Sequence, residues 1–204
     1  MQTEVFIADV SPLNDDELFK KFYDTVPEYR QNKIDKFKFR DSKNLSLGAG
    51  LLLSYALKKN GFDESKLNVK INEYGKPYFA NMNNLFFSIS HTATTAVCAI
   101  SDNEIGVDIE QTDRSNLKLA KRFFSDKDNE LINNSDNEEK TFTELWTKKE
   151  SYAKFKGTTL ESVLKNDSFP EVFFTTFEHD KLLTTTCTKT KESPVINFVN
   201  LTET

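Results

Sequence analysis

The chain is poor in several residue types that small proteins use for cross-linking or for stand-alone chemistry. It has two cysteines in 204 residues, Cys98 and Cys187, too few for a disulfide framework. Cys98 lies in the apolar run Ala96-Val97-Cys98-Ala99-Ile100 and reads as a small buried hydrophobe, so a reduced, cytoplasmic setting is expected. The two histidines, His91 and His179, have no Cys/His cluster around them and are too few for a zinc site. His179, beside Asp180, reads as a turn residue without a role. No stretch approaches the roughly 20 apolar residues of a membrane span. The opening Met1-Gln2-Thr3-Glu4 lacks the basic and apolar regions of a signal peptide. Neither Gly-x-Gly-x-x-Gly nor Gly-x-x-x-x-Gly-Lys-Ser/Thr occurs, so any phosphate must be held by side chains and metal. A Gly-x-Ser-x-Gly hydrolase elbow is absent too.

Net charge is −5 at pH 7, which argues against nonspecific nucleic-acid binding. Neither nucleic acid nor a membrane is therefore expected as a partner. One segment departs from the acidic average. Between Tyr29 and Lys43, Arg30, Lys33, Lys36, Lys38, Arg40 and Lys43 outweigh Asp35 and Asp41 to give a local charge of +4. It is either a solvated helix face or a landing site for a polyanion.

The apolar fraction of 37%, with eighteen Phe, can fill the core of one large domain or of two fused domains of about 100 residues each. Alternation predicts a first strand over 4–9. Helical spacing follows over 13–22, with Ser11 as N-cap and Pro12 in the first turn. A long buried helix over 45–57 ends at Asn60-Gly61, and Gly48 and Ala49 in it allow close approach by a strand or ligand. Strands are expected over 69–71, 86–90, 95–100 and 105–111, with Asp102-Asn103 as a hairpin turn. Helices follow over 117–124, after Ser125, and from about 136 to Gly157, the last with Phe142, Leu145, Trp146, Tyr152 and Ala153 inward. Strands over 171–177, 182–189 and 195–201 close the order. The fold class is α+β, in two α+β halves (1–103 and 104–204) that meet near Ser101 and pack as one rigid unit.

Two stretches carry the chemistry. In Gly106-Val107-Asp108-Ile109-Glu110, apolar and acidic residues alternate as in a strand, so both carboxylates emerge on one face, their Cα atoms about 6.6 Å apart. In Trp146-Thr147-Lys148-Lys149-Glu150-Ser151-Tyr152-Ala153-Lys154, Glu150 and Lys154 are an i, i+4 pair on one side of a helix. An acidic strand face or a helix-surface ion pair would account for either stretch alone. Together they make an all-oxygen site beside a lysine, which suits Mg²⁺ holding a phosphate.

Four motifs occur in order: Gly75-Lys76-Pro77, Ser88-Ile89-Ser90-His91, Gly106 to Glu110, and Trp146-x-x-Lys149-Glu150-Ser151-x-x-Lys154. With Arg122-Phe123-Phe124-Ser125 and the basic segment before Leu45, this pattern resembles the 4′-phosphopantetheinyl transferases of the long, surfactin-synthetase-activating (Sfp) type. The resemblance implies two similar halves related by a pseudo-twofold, with coenzyme A in the cleft between them. It also implies transfer of the phosphopantetheine arm of coenzyme A to a serine of an apo carrier protein, releasing adenosine 3′,5′-bisphosphate. The metal ligands it implies are Asp108, Glu110 and Glu150, for Mg²⁺ with Mn²⁺ as a substitute. Glu150 would accept the serine proton and Lys154 would neutralise the phosphate, with Lys149 as a second lysine of catalytic or structural role. On the coenzyme A side the resemblance assigns Lys76 and its backbone to the adenine, Ser90, His91 and Lys154 to the phosphates, and Arg30 and Lys33 to the 3′-phosphate. Ser46, after Leu45, stands near the position where the family often has a hydroxyl.

Lys118, Lys121 and Arg122 form either a solvated charged face or a docking patch for the acidic carrier. Acyl, polyketide and peptidyl carriers, serving fatty-acid, polyketide and nonribosomal-peptide synthesis, all stay open. The two halves in one chain imply a monomer. Two other readings stay open at this point: a catalytically silent module that binds coenzyme A or the carrier, and an unrelated Mg²⁺-dependent phosphohydrolase.

Overall fold

The strand β1 (Glu4–Asp9) is apolar on both faces, which places it between two other layers. In the computed structural model, which describes residues 1–113 and 115–203, Phe6 and Ala8 point to one layer while Val5 and Ile7 point to the other. The strand β5 (Thr95–Ser101), buried at every residue, pairs antiparallel with β1 and repeats the division: Ala96, Cys98 and Ile100 one way, Val97 and Ala99 the other. The strand β4 (Phe86–Thr92) pairs on the far side of β5. On the Phe6 face lies α3 (Arg40–Lys59), presenting Leu47, Leu52, Leu53, Ala56 and Leu57. Gly48 lets it approach, since a Cβ there would sit 2.3 Å from Val10 Cγ1.

The second half repeats this plan. Its strand β6 (Ile105–Gln111) is followed by the long helix α6 (Glu138–Lys156) and the antiparallel hairpin β7 (Phe173–His179) and β8 (Leu182–Thr188). The first strand of each half lies beside the last strand of its own hairpin, giving the orders β4-β5-β1 and β7-β8-β6. This common strand–helix–hairpin topology is the two-half architecture that the motifs implied, although no residue-level repeat is visible. The sheets face each other across Val5, Ile7, Val97 and Ala99 on one side and Ile105, Val107 and Ile109 on the other. A shared apolar layer makes the halves one body. Smaller elements surround it: α1 (Asp16–Tyr23), α2 (Glu28–Asp35), the hairpin of β2 (Val69–Ile71) and β3 (Pro77–Phe79), α4 (Leu117–Phe123) and α5 (Asp126–Asn133).

Four details differ from the sequence expectations. Ser11 does not cap α1, because its hydroxyl is engaged by Asp9 and residues Ser11–Asn14 form a short 3-10 turn. Asp15 caps instead, accepting from Leu18 N at 2.8 Å. Asp102-Asn103 closes no hairpin, because β5 and β6 leave it for different sheets. The hairpin turns with left-handed backbone lie at Ala93 (φ 48°) and at Asp180-Lys181 (φ 48° and 63°). The final strand β9 (Val195–Phe198) ends before Val199 and joins the first half, parallel to β1 with Val195 opposite Glu4.

The inner face of α6 also differs. Phe142 and Ala153 are buried, but so are Thr143, Thr147, Lys149, Ser151 and Phe155, while Leu145, Trp146 and Tyr152 keep partial exposure. The helix is covered on two sides, by β6 and β8 and by the α4–α5 lobe, so one apolar stripe cannot describe it. Its buried polar groups are matched: the Thr147 and Thr185 hydroxyls lie 2.8 Å apart, and Lys149 Nζ sits 2.7 Å from Asp128 Oδ2 while donating to Asn166 O. Lys149 is therefore a structural group that ties α5 and the 166 loop to α6. Cys98 and Cys187 are free and buried. Among the described residues no helix is long and apolar enough to cross a membrane.

Candidate active site

The site begins at a glycine. A Cβ on Gly106 would lie 1.9 Å from Ser151 O and 2.5 Å from Phe155 N, so the backbone of α6 rests directly on β6. Any side chain there would hold helix and strand apart. Two residues further along the same strand face, Asp108 meets the helix at Lys154. The Lys154 ammonium donates to Asp108 Oδ1 at 2.7 Å and to Ser90 Oγ at 2.7 Å. Ser90 in turn donates to Asp108 Oδ1 at 2.7 Å. These three groups, from β4, β6 and α6, form a closed triangle beneath the cleft.

A row of hydroxyls on β4 extends the arrangement; Ser90 was a sequence candidate, whereas no role was read for Ser88 or Thr92. Ser88, Ser90 and Thr92 share one strand face. Ser88 Oγ accepts from Val107 N at 3.0 Å, and Thr92 Oγ1 donates to Glu110 Oε2 at 2.9 Å. The alternation Ser-Ile-Ser-His-Thr, matching the acidic alternation of β6 in period, was the available signal. Ser90 is thus engaged with Asp108 and Lys154, and Thr92 orients Glu110.

The electrostatics are unbalanced towards negative charge. Asp108 is 3% exposed, and its Oδ2 is buried without a hydrogen-bond partner among the described residues. Burial, the Asp108 carboxylate and the Glu110 carboxylate together push the carboxyl of Glu150 up to about 7, against the opposing pull of Lys154. Among the described residues no three carboxylate, imidazole or thiol groups close on one point as a ready-made cage. The donor set nevertheless fits a hard divalent cation: all oxygen, one of them buried and unsatisfied, around a charge deficit that a single lysine leaves uncorrected.

Clefts open on both sides of this triangle. One is lined by Lys33, the turn Tyr74 to Pro77, Ser88, Ile89, Ala153 and Lys154, so it draws walls from both halves. The other is bounded by Leu45, His91, Thr92, Glu110, Leu119 and Trp146. Lys33 and Lys154 thus share the first cleft, and His91 and Glu110 share the second. Two of the sequence candidates are placed differently from the rest. Arg30 is 2% exposed and packed against Gly50, where a Cβ would come 2.9 Å from its Cγ. It lines the neighbouring groove with Tyr29, Lys33, Lys36 and Lys70 while its Nε has no partner among the described residues. Lys76 directs its ammonium away from open solvent, to Glu104 Oε2 at 2.9 Å and Phe155 O at 3.2 Å. Ser46 is buried with its hydroxyl unpartnered among the described residues. Lys118, Lys121 and Arg122 are exposed on α4, outside both clefts.

Residues 104–199 match the 4′-phosphopantetheinyl transferase superfamily, and residues 11–103 match the family described as 4′-phosphopantetheinyl transferase, N-terminal. Over 161 residues the chain is 33% identical to the 4′-phosphopantetheinyl transferase Sfp of Bacillus subtilis (strain 168), covering 78% of this chain and 70% of that one. Identity to the L-aminoadipate-semialdehyde dehydrogenase-phosphopantetheinyl transferase of Saccharomyces cerevisiae (strain ATCC 204508 / S288c) is 30% over 185 residues, covering 83% of this chain and 68% of that one. Identity to the 4′-phosphopantetheinyl transferase gsp of Aneurinibacillus migulanus is 30% over 146 residues, covering 70% of this chain and 61% of that one. The two family matches divide between β5 and β6, where the chain passes from one sheet to the other, and the chain belongs to the 4′-phosphopantetheinyl transferases of the Sfp type.

Proposed function

We propose that this protein transfers the 4′-phosphopantetheine arm of coenzyme A to a serine of an apo carrier protein, releasing adenosine 3′,5′-bisphosphate, at a Mg²⁺ site made by Asp108, Glu110 and Glu150. The observation that carries the metal assignment is the buried Asp108 Oδ2, unpartnered among the described residues, beside a Glu150 whose charge burial and its neighbours suppress. When bound, the ion supplies charge neutralisation at the carboxylates and at the phosphate oxygens. Lys154, already fixed by Asp108 and Ser90, is placed to meet charge on the transferred or departing phosphate. Glu150 would take the proton from the carrier serine, directly or through water. The nucleophile belongs to the partner, which accounts for the lack of a hydrolase elbow in this chain. Lys33 and the backbone of Gly75 to Pro77 would wall the nucleotide, and His91 the second cleft. Both walls come from one chain, so a monomer suffices.

The test mixes the protein with coenzyme A, Mg²⁺ and an apo carrier protein and weighs the carrier. A gain of one phosphopantetheine, abolished by EDTA, is expected. Coenzyme A binding without modification of any of several carriers would favour the silent binding module, and hydrolysis of coenzyme A without carrier would favour the phosphohydrolase.

The protonation of Glu150 makes a second prediction. In the metal-free folded protein its carboxyl keeps its proton to about pH 7, whereas in the unfolded chain it releases it near 4.5. The resulting stabilisation is full below pH 4.5 and is lost as pH rises to 7. In EDTA, the melting temperature should fall over that window more steeply than in Glu150→Gln. Mg²⁺ half-saturation should weaken about tenfold per pH unit below 7, one proton being displaced per ion. A Mg²⁺ affinity independent of pH between 5.5 and 7 would remove Glu150 from the ligand set.

The exposed face of Lys118, Lys121 and Arg122 supports a third. Charge reversal at all three is expected to raise the carrier KM about tenfold or more and leave the coenzyme A KM alone. Unchanged carrier kinetics would show this face to be plain solvated surface.

A further inference from the structure

The Lys76 ammonium occupies an unusual place for a lysine in a nucleotide-side turn. It projects from the first half and reaches across to the second, where three acceptors converge on it: Glu104 Oε2 at 2.9 Å, Phe155 O at 3.2 Å and Ile105 O at 3.5 Å. Glu104 and Ile105 stand at the start of β6, and Phe155 is in the last turn of α6. Those two elements carry the proposed metal ligands and Lys154: Asp108 and Glu110 on the strand, Glu150 and Lys154 on the helix. They touch at Gly106 without any side chain between them. At the end of that contact away from Asp108, their backbones are joined through Lys76.

A second bond fixes the same turn to the same helix end. Asn72 Nδ2 donates to Gly157 O at 2.8 Å, while Asn72 Oδ1 accepts from Lys76 N at 2.9 Å and Tyr74 N at 3.0 Å. Gly157 has φ 63°, and a Cβ there would come 2.9 Å from Asn72 Nδ2. The end of an α-helix leaves its last carbonyls without partners inside the helix. Here Ala153 O and Lys154 O are capped by Thr158 N and Gly157 N, and Phe155 O receives Lys76 from the other half of the molecule.

We propose that Lys76 is a positioning residue whose side chain pins the start of β6 to the end of α6, holding Lys154 and Glu150 in register with Asp108. Its backbone faces the nucleotide cleft while its ammonium serves the metal side, so the turn that would touch the nucleotide also fixes the catalytic helix. This rests on the proposed transferase reaction and extends it to a residue outside the reacting centre.

The discriminating variants are Lys76→Met, Lys76→Arg and Glu104→Gln. In EDTA, the coenzyme A dissociation constant of Lys76→Met, measured by calorimetry, should stay within about twofold of wild type. Its kcat should fall about tenfold or more, and the Mg²⁺ concentration that half-saturates the thermal shift should rise about fivefold. Lys76→Arg, whose planar fork can still bridge a carboxylate and a carbonyl, should recover kcat to within about threefold. Glu104→Gln should move kcat and Mg²⁺ response in the same direction by less, and should add little to Lys76→Met. A coenzyme A affinity reduced about tenfold with kcat retained would make the ammonium a substrate ligand and overturn the proposal. So would a Mg²⁺ response and kcat equal to wild type. Should Lys76→Met fail to fold, Glu104→Gln alone decides, since it strips the charge from one arm of the pin. If wild type modified no carrier the reaction would be wrong, while the Mg²⁺ shift and coenzyme A affinity of the variants would still report on the pin.

Discussion

Asp108→Ala should lower kcat/KM for carrier modification by at least about a hundredfold, and more in combination with Glu150→Ala. Losing one preorganised electrostatic group at a reacting centre generally costs about 10²- to 10³-fold. Asp108 serves two partners at once. Its Oδ1 holds the Lys154 ammonium and the Ser90 hydroxyl, and its Oδ2 is buried without a hydrogen-bond partner among the described residues. Alanine therefore removes a proposed metal ligand and frees the lysine. Asp108→Asn should lie between, because an amide oxygen can still accept from Lys154 but brings no charge to the cation. Coenzyme A affinity in EDTA should change by no more than a few-fold in either variant. Steady-state kinetics at saturating Mg²⁺ is the check, and an Asp108→Ala enzyme within threefold of wild type would sink the site as drawn.

Gly106→Ala is expected to be the most damaging single methyl in the molecule, costing about 3 kcal/mol of stability or preventing folding. Overpacking in a core typically costs about 1–3 kcal/mol, and occasionally more, when side chains can move aside. Here the clash is with backbone: the new Cβ would lie 1.9 Å from Ser151 O and 2.5 Å from Phe155 N. Relief requires moving α6 off β6, and the register of Lys154 on Asp108 would go with it. Gly61→Ala provides the comparison. Gly61 has φ 77° but nothing within 4 Å, so its cost is confined to backbone strain of about 1 kcal/mol. Urea denaturation midpoints for the two variants should separate clearly, with Gly106→Ala the lower. If Gly61→Ala proved the more destabilising, the close helix–strand contact would not be what positions the site.

The candidate site residues stood out in the sequence because their periods are short. Asp108 and Glu110 alternate in a strand, and Glu150 and Lys154 are separated by one helical turn, so a local pattern was enough to pair each set. What joined the two sets could not be read locally. The contact at Gly106 depends on a helix some 45 residues later in the chain, and a lone glycine in a strand pattern has several explanations. The hydroxyls of Ser88 and Thr92 were overlooked because serine and threonine in a strand look like ordinary surface residues until the opposing strand is known. The family resemblance put Lys76 beside the adenine, whereas the direction of its ammonium is set by acceptors in the other half. The basic segment shows the limit from the other side. Charge counting could not distinguish Lys33, exposed at the cleft, from Arg30, packed under Gly50. The strand order failed at β9 for the same reason: alternation shows that a strand forms but does not show which sheet receives it.

That last strand has a consequence for how the molecule is made. Its partner β1 lies roughly 190 residues earlier, an interval that takes about 10–40 s of synthesis at 5–20 residues per second. During that time the N-terminal sheet can fold against α3 with one edge bare. An open strand edge is a template for pairing with another chain. The ribosome thus delivers the strand that covers this edge only after the whole of the second sheet, and slowed translation of the second half should raise the fraction of newly made protein that aggregates.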